Sequence, residues 1–414
     1  MRRPLLASAA VLALAACGNL SGPDGPPPLL SALPRELSPA ELRIADGANA
    51  FAFDLLREAT RSLAAESNAF LSPLSASMAL GMALNGANGE TFEAMRTTLR
   101  LDGMSQGEIN QGYRDLVALL GGLDGRAEMR VANAMWAHRG LPLEPAFTAA
   151  GREFFDAEIA TLDFGAPGAV ETINRWVDGK TGGRIPRLLD QLAKDEVLFL
   201  VNAIYFKARW REAFESKDTR QGPFHGADGR DRTAFLMWQK ETLRYGETEE
   251  YQAVDLLYGN GAFAMTVILP RLRHEPAGVL AGLDAAAWRD LVARFHDETV
   301  ILTLPRFTLD YSRRLDADLQ ALGMAIAFDP GRADFYRIAD VRPERLFISR
   351  VEQKTFVEVN EEGTEAAAAT GVGVGVTSAP QEVHMVVDRP FLFAIRERFS
   401  GTVVFLGLMN AVGE

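Results

Sequence analysis

Only one cysteine, Cys17, occurs in the 414 residues. An intrachain disulfide is therefore excluded, and packing has to hold the fold even in an oxidising compartment. Histidine is nearly as scarce: His138, His225, His274, His296 and His384 are scattered without metal-ligand spacing, so no metal site is expected. The chain has no Gly-x-x-x-x-Gly-Lys phosphate loop, and no serine is expected to sit in a Gly-x-Ser-x-Gly nucleophile elbow. Gly371, Gly373 and Gly375 miss the dinucleotide fingerprint, because Val376 stands where its last glycine belongs. Positive charge is in deficit as well, with 43 Lys and Arg against 55 Asp and Glu and a net charge of −12. That balance leaves no basic stripe for phosphates and excludes nucleic acid as an expected partner. No catalytic constellation and no cofactor site can be named, so the chain reads as a non-enzyme. With 48% hydrophobic residues it has ample apolar surface for an extensive core.

The first residues read as a targeting signal. Arg2 and Arg3 precede an apolar stretch from Leu5 to Ala16 that is too short to span a bilayer. It ends Leu14-Ala15-Ala16-Cys17, which resembles the lipobox of bacterial lipoproteins, where small residues precede a cysteine that is lipidated and becomes the new N-terminus. The resemblance implies a signal peptide over 1–16, a lipid on Cys17 and an exported protein anchored to a bacterial membrane. Gly18 is not the Asp that retains some lipoproteins at the inner membrane, so an outer-membrane anchor facing the periplasm or the exterior is expected. If Cys17 is not modified, the expectation is a secreted protein. Residues 17–43 contain Gly-Pro-Asp-Gly-Pro-Pro-Pro, Pro34 and Pro39, and read as a tether. From 44 to 414 no second segment of this kind and no internal repeat interrupts the chain, which predicts one continuous domain.

The first half of that domain reads as largely helical. Phe51, Leu55, Leu56, Ala59 and Leu63 form one apolar face at helical spacing. Ser72 can cap, and Pro73 can open, a second helix that stops in the turn Gly86 to Gly89. Ile173, Trp176 and Val177 mark another helix before Gly182-Gly183. The second half is strand-like: Val197 to Phe206, Phe263 to Leu269, Val300 to Phe307, Thr355 to Val359, Phe391 to Ile395 and Val403 to Leu408 are runs of branched and aromatic residues. The predicted class is α+β, with mixed sheets and a helical cluster.

One segment is unlike the rest. Glu361-Glu362-Gly363-Thr364-Glu365-Ala366-Ala367-Ala368-Ala369-Thr370-Gly371-Val372-Gly373-Val374-Gly375-Val376-Thr377-Ser378-Ala379 follows a strand, precedes strands and is too long for a tight hairpin. It resembles the hinge of the serpins, Glu-x-Gly-Thr-Glu-Ala followed by small residues. Asn68-Ala69-Phe70-Leu71-Ser72-Pro73-Leu74-Ser75, Leu200-Val201-Asn202-Ala203-Ile204-Tyr205-Phe206-Lys207 and Asp388-Arg389-Pro390-Phe391-Leu392-Phe393 resemble blocks of the same family, in family order. The resemblance implies a single-domain serpin fold with an exposed reactive-centre loop. It also implies suicide trapping, in which a serine protease, or across classes a cysteine protease, forms an acyl-enzyme with the loop. The cut loop then enters the main sheet and drags the protease with it. A monomer that needs no cofactor is expected. The alternative is a non-inhibitory binding lipoprotein with the same fold.

Two features of the residues themselves fit strand insertion. Every ladder position needs a backbone N–H, and no proline occurs between Pro343 and Pro380. Alternation puts Thr364, Ala366, Ala368, Thr370, Val372, Val374 and Val376 on one face and Glu365, Ala367, Ala369 and the glycines on the other, so the charge falls opposite the valines. Family spacing implies a reactive bond between Thr377 and Ser378, with Val376–Thr377 as the alternative. The residues before it are small, which suits an elastase-like or subtilisin-like pocket rather than a trypsin-like one. By resemblance Ser72, Ser75 and Asn202 lie in the shutter beneath the opening sheet, and Trp210 near the point where the hinge enters. At Gln353, where many relatives carry histidine, the side chain can donate and accept but cannot titrate.

Overall fold

The computed structural model describes residues 27–364 and 382–412. The first helix, α1 (Pro39–Thr60), begins inside the segment expected to be a tether. Its start is a capping box: the Ser38 hydroxyl accepts from Glu41 N and the Glu41 carboxylate accepts from Ser38 N, with Pro39 at the first helical position. The chain before it is docked. Leu30 N donates to Asn260 O at 2.7 Å, Arg398 Nη2 to Leu30 O at 2.6 Å and Arg211 Nη1 to Pro27 O at 2.8 Å. Leu30, Leu33 and Leu37 also pack on the core. Residues 27–38 therefore form a strap docked on the core.

Nine helices are found among the described residues. After α1 come α2 (Pro73–Leu84), α3 (Gly89–Thr98), α4 (Gln106–Gly122), α5 (Pro145–Phe155), α6 (Ala169–Lys180), α7 (Pro276–Gly282), α8 (Ala285–Arg294) and α9 (Asp316–Leu319). All of α2 is buried, as its apolar circumference requires. Ser72 stands at its N-cap position but does not cap; its hydroxyl donates to Val404 O at 2.7 Å instead. A Gly-x-Ser-x-Gly pattern does occur, Gly103 to Gly107, and it lies at the start of α4. Its Ser105 forms a capping box with Glu108 and follows a turn rather than a strand, so it is a helix cap and no elbow.

A six-stranded sheet contains β2 (Glu128–His138), β3 (Glu158–Leu162), β4 (Leu198–Arg209), β10 (Phe307–Arg314), β11 (Ile348–Asn360) and β12 (Gly363–Thr364), in the order β10-β11-β12-β4-β2-β3. A nine-stranded sheet takes β1 (Ala69–Leu71), β5 (Arg220–His225), β6 (Asp231–Glu247), β7 (Tyr251–Leu257), β8 (Phe263–Pro270), β9 (His296–Pro305), β13 (Val383–Val386), β14 (Phe391–Glu397) and β15 (Val403–Met409). All six predicted runs are strands, although Arg306 splits Val300 to Phe307 between β9 and β10. The strands β2 and β3 in the helical half were not expected. Ala132 to Ala137 of β2 is buried throughout, and an apolar run covered on both faces carries no strand alternation. The fold is a single-domain α+β architecture with helices packed on mixed sheets. One face of the six-stranded sheet rests on the main core. The other carries a second cluster, in which Ile173 and Val177 of α6 cover Trp136, Phe199 and Val201.

Candidate functional site

The two central strands of the six-stranded sheet, β4 and β11, run parallel and pair from Leu198↔Ile348 to Tyr205↔Phe356. Above Phe356 they part, and β12 occupies the gap. Thr364 pairs with Val359 on one side and Ala208 on the other, and Gly363 with Asn360 and Arg209, antiparallel to both neighbours. The sheet is thus open for two residues of the hinge and closed below it. Glu361 and Glu362 form the turn that joins β11 to β12.

Each hinge residue has a physical reason for its identity. Gly363 has φ 151, and a Cβ there would lie 2.3 Å from Ala208 O and 2.6 Å from Arg209 Cα. No larger residue fits without moving the neighbouring backbone. Thr364 is fully buried, its hydroxyl 2.7 Å from that of Tyr258. The Tyr258 ring stacks on Trp210 with centroids 4.4 Å apart. Trp210 in turn donates from its indole to Asn360 O at 2.9 Å and from its backbone to Glu362 O at 2.8 Å. Trp210 therefore closes the top of the opening and holds the hairpin. Glu361 accepts from Arg306 Nε at 2.6 Å and from the Thr219 hydroxyl. Burial works against its carboxylate, but the hydrogen bonds from Arg306 and Thr219 outweigh it and hold Glu361 below the usual glutamate range.

Halfway down the closed part, three polar side chains stand abreast. Asn133 of β2, Asn202 of β4 and Gln353 of β11 are paired positions in the sheet, each about 99% buried by their 1% exposures. Gln353 Nε2 donates to Asn202 Oδ1 at 2.7 Å and to Ser72 O at 2.9 Å, and Gln353 Oε1 accepts from Ser72 N at 2.9 Å. Asn202 Nδ2 donates to Asn133 Oδ1 at 2.8 Å and to Ser75 O at 3.1 Å, and its amide also reaches the Ser75 hydroxyl. The structure thus brings together Ser72, Ser75, Asn202 and Gln353 in one network. Its one direct bond between β4 and β11 side chains, Gln353 to Asn202, crosses the seam through which an added strand would pass. No member of the network titrates near neutral pH.

Sequence reading missed Asn133, Tyr258, Arg306 and Thr219. A polar Asn133 in the apolar run Val131 to Trp136 was a usable signal. The other three lie far from the hinge in sequence, and nothing local marks them. Cys17, Glu365, Ala366, Ala367, Ala368, Ala369, Thr377 and Ser378 lie outside the described residues.

The family model described as serpin (serine protease inhibitor) matches residues 46–411. The leukocyte elastase inhibitor of Bos taurus is 35% identical over 376 residues, covering 87% of this chain and 97% of its own. A serpin-like protein of Thermococcus kodakarensis is 34% identical over 375 residues, covering 89% of this chain and 86% of its own. Among solved structures, the thermophilic serpin tengpin in its native state superposes with a TM-score of 0.84 at 27% identity, covering 94% of this chain and 97% of its own. With a hinge seated between two parallel central strands, and a family match over nearly the whole domain, this chain belongs to the serpin family of serine protease inhibitors.

Proposed function

We propose that this protein inhibits serine proteases by suicide trapping. The observation that carries the reading is the seat of Gly363 and Thr364, antiparallel to both β4 and β11 at the top of a seam whose lower part is eight parallel pairs. Each further residue that enters exchanges one parallel pairing for two antiparallel ones, which are slightly more stable per residue. The attacking serine hydroxyl adds to the Thr377 carbonyl carbon, the bond to Ser378 nitrogen breaks, and that nitrogen takes the proton as the new amine. Thr377 stays esterified to the protease while the freed chain inserts.

Register supports both the face and the length. Thr364 shares with Ala208 the face that rests on the main core, so even-numbered positions of an inserted strand continue on that side. Counting down from Thr364↔Val359 sets Gly375 opposite Ile348, the first residue of β11. A cut after Thr377 therefore frees chain enough to run the depth of the sheet, about 40 Å for a dozen residues. The acylated protease is carried that distance.

Val374, Gly375, Val376 and Thr377 are small, which suits elastase-like or subtilisin-like proteases, and the cattle relative is named as an elastase inhibitor. The protein acts as a monomer on the membrane surface, held through a lipid on Cys17 and spaced from it by the residues before the strap.

The test is incubation with an elastase-like protease and with trypsin, followed by denaturing electrophoresis and mass spectrometry. An SDS-resistant complex with the elastase-like enzyme and a released fragment beginning at Ser378 are expected. Cleavage of the loop with no complex for any protease would reject trapping and leave a non-inhibitory binding protein.

A further inference from the structure

The turn from β11 to β12 also walls a cavity of about 710 Å³. A cavity of that size holds a small organic molecule. One wall comes from the nine-stranded sheet, where Phe235 of β6 stands opposite Gln221 of β5. The other comes from the upper corner of the six-stranded sheet, where Thr308 of β10 pairs with Glu358 of β11, and it includes the turn residues Glu361 and Glu362.

Three carboxylates, Glu358, Glu361 and Glu362, and one guanidinium, Arg306, line the cavity. Arg306 is bound to Glu361 through Nε at 2.6 Å and offsets its charge, so Glu358 and Glu362 leave the lining net negative. The three carboxylates are not equally satisfied. Glu361 accepts from Arg306 and Thr219, and Glu358 accepts from Asn360 Nδ2 at 3.3 Å. Glu362 Oε2 is shut off from water and accepts no hydrogen bond from any described residue. A carboxylate oxygen so placed bears a desolvation cost that nothing offsets, and a cationic N–H is the donor that offsets it most strongly. Next to this acceptor is an apolar wall. Phe307 and Val359 form its base, and Phe235 remains 49% exposed although the Arg306 guanidinium lies 5.4 Å from its ring centroid.

We propose that this cavity is a binding site for a small organic cation with an aromatic body. The cationic N–H donates to Glu362 Oε2, Glu358 adds negative potential, and the ring packs against Phe235. An anion of the same shape meets two uncompensated carboxylates, and the one guanidinium present is already committed to Glu361. Binding here requires no protease. An occupant ties the turn that carries the hinge to the nine-stranded sheet, and it stabilises the folded chain by mass action.

The experiment titrates the full chain calorimetrically with phenethylamine. Phenylacetate supplies the same ring with the opposite charge, and ethylamine supplies the cation without the ring. Phenethylamine is expected to bind one site with a dissociation constant of about 1 mM or lower and to raise the melting temperature, with both other compounds at least about tenfold weaker. Glu362→Gln keeps the side-chain shape but removes the charge, and should weaken phenethylamine about tenfold. Phe235→Ala should weaken it about fivefold. Absence of phenethylamine binding, equal binding of phenylacetate, or an affinity unchanged in both variants would each overturn the site. Should Glu362→Gln fail to fold, the Phe235→Ala affinity decides.

Discussion

Glu361 is the residue on which the hinge turns, because it is buried, charged and held by two groups from different elements. Arg306 sits between β9 and β10, and Thr219 just before β5, so three separate parts of the chain meet at one carboxylate. Charge-assisted bonds of this kind are worth more than neutral ones, and losing the charge leaves Arg306 without its partner. The folded carboxylate is held below its usual range, so its contribution is fully present above the ordinary glutamate pKa. It is lost as pH falls through the depressed folded value. Glu361→Gln should cost about 1–2 kcal/mol at neutral pH. The gap between wild type and variant in denaturant unfolding should then close below about pH 4. A gap that persists unchanged into acid would show that the charge is not what anchors the turn.

At the scale of elements, the seam between β4 and β11 is held by backbone pairs and by the network of Gln353, Asn202, Asn133, Ser72 and Ser75. Under the trapping mechanism proposed above, these same groups would have to part for a strand to enter. Thr364 is seated at the top of this seam, between Val359 and Ala208. It is fully buried against Tyr258, which is itself fixed by the Trp210 stack. Thr364→Arg places a charge where the surrounding groups offer a hydroxyl and rings, at a cost of several kcal/mol if it stays inside. The hinge should instead be expelled, which slows insertion enough for water to release the protease. The expected outcome is a variant cut as a substrate, read as a rise in cleaved monomer at the expense of SDS-resistant complex. A Thr364→Arg protein that still forms complex at the wild-type ratio would mean that insertion does not begin at this position.

For the whole molecule, trapping requires that the uncut chain is not at its lowest free energy. Cleavage at Thr377–Ser378 without a retained protease should raise the melting temperature by well over ten degrees, since about a dozen added ladder bonds at roughly 0.5–1.5 kcal/mol each are gained. Identical melting curves before and after a nick would contradict insertion. Much of this was legible in the chain itself. The hinge composition, the absence of proline from 344 to 379 and the alternation that segregates Glu365 from the valines are local properties, as are the six strand runs and the apolar face of α1. The start of α1 was legible too: Ser38-Pro39 with Glu41 is a capping box, obscured by the prolines around it. Other features had no local signal. Ser72 has the sequence of a cap, yet Val404 O, 332 positions away, takes its hydroxyl. Ser105 sits in a nucleophile pattern and is a cap, because what precedes it is a turn. The sequence by itself determined the composition and alternation of the hinge segment and the strand runs on either side of it, since proline, side-chain size and period-two alternation act on neighbouring residues. Only the tertiary structure decided what surrounds the hinge: Arg306 meets Glu361, Tyr258 meets Thr364, and Asn133 joins the network in the parallel seam of β4 and β11 below them, through contacts between distant residues, which packing alone brings together.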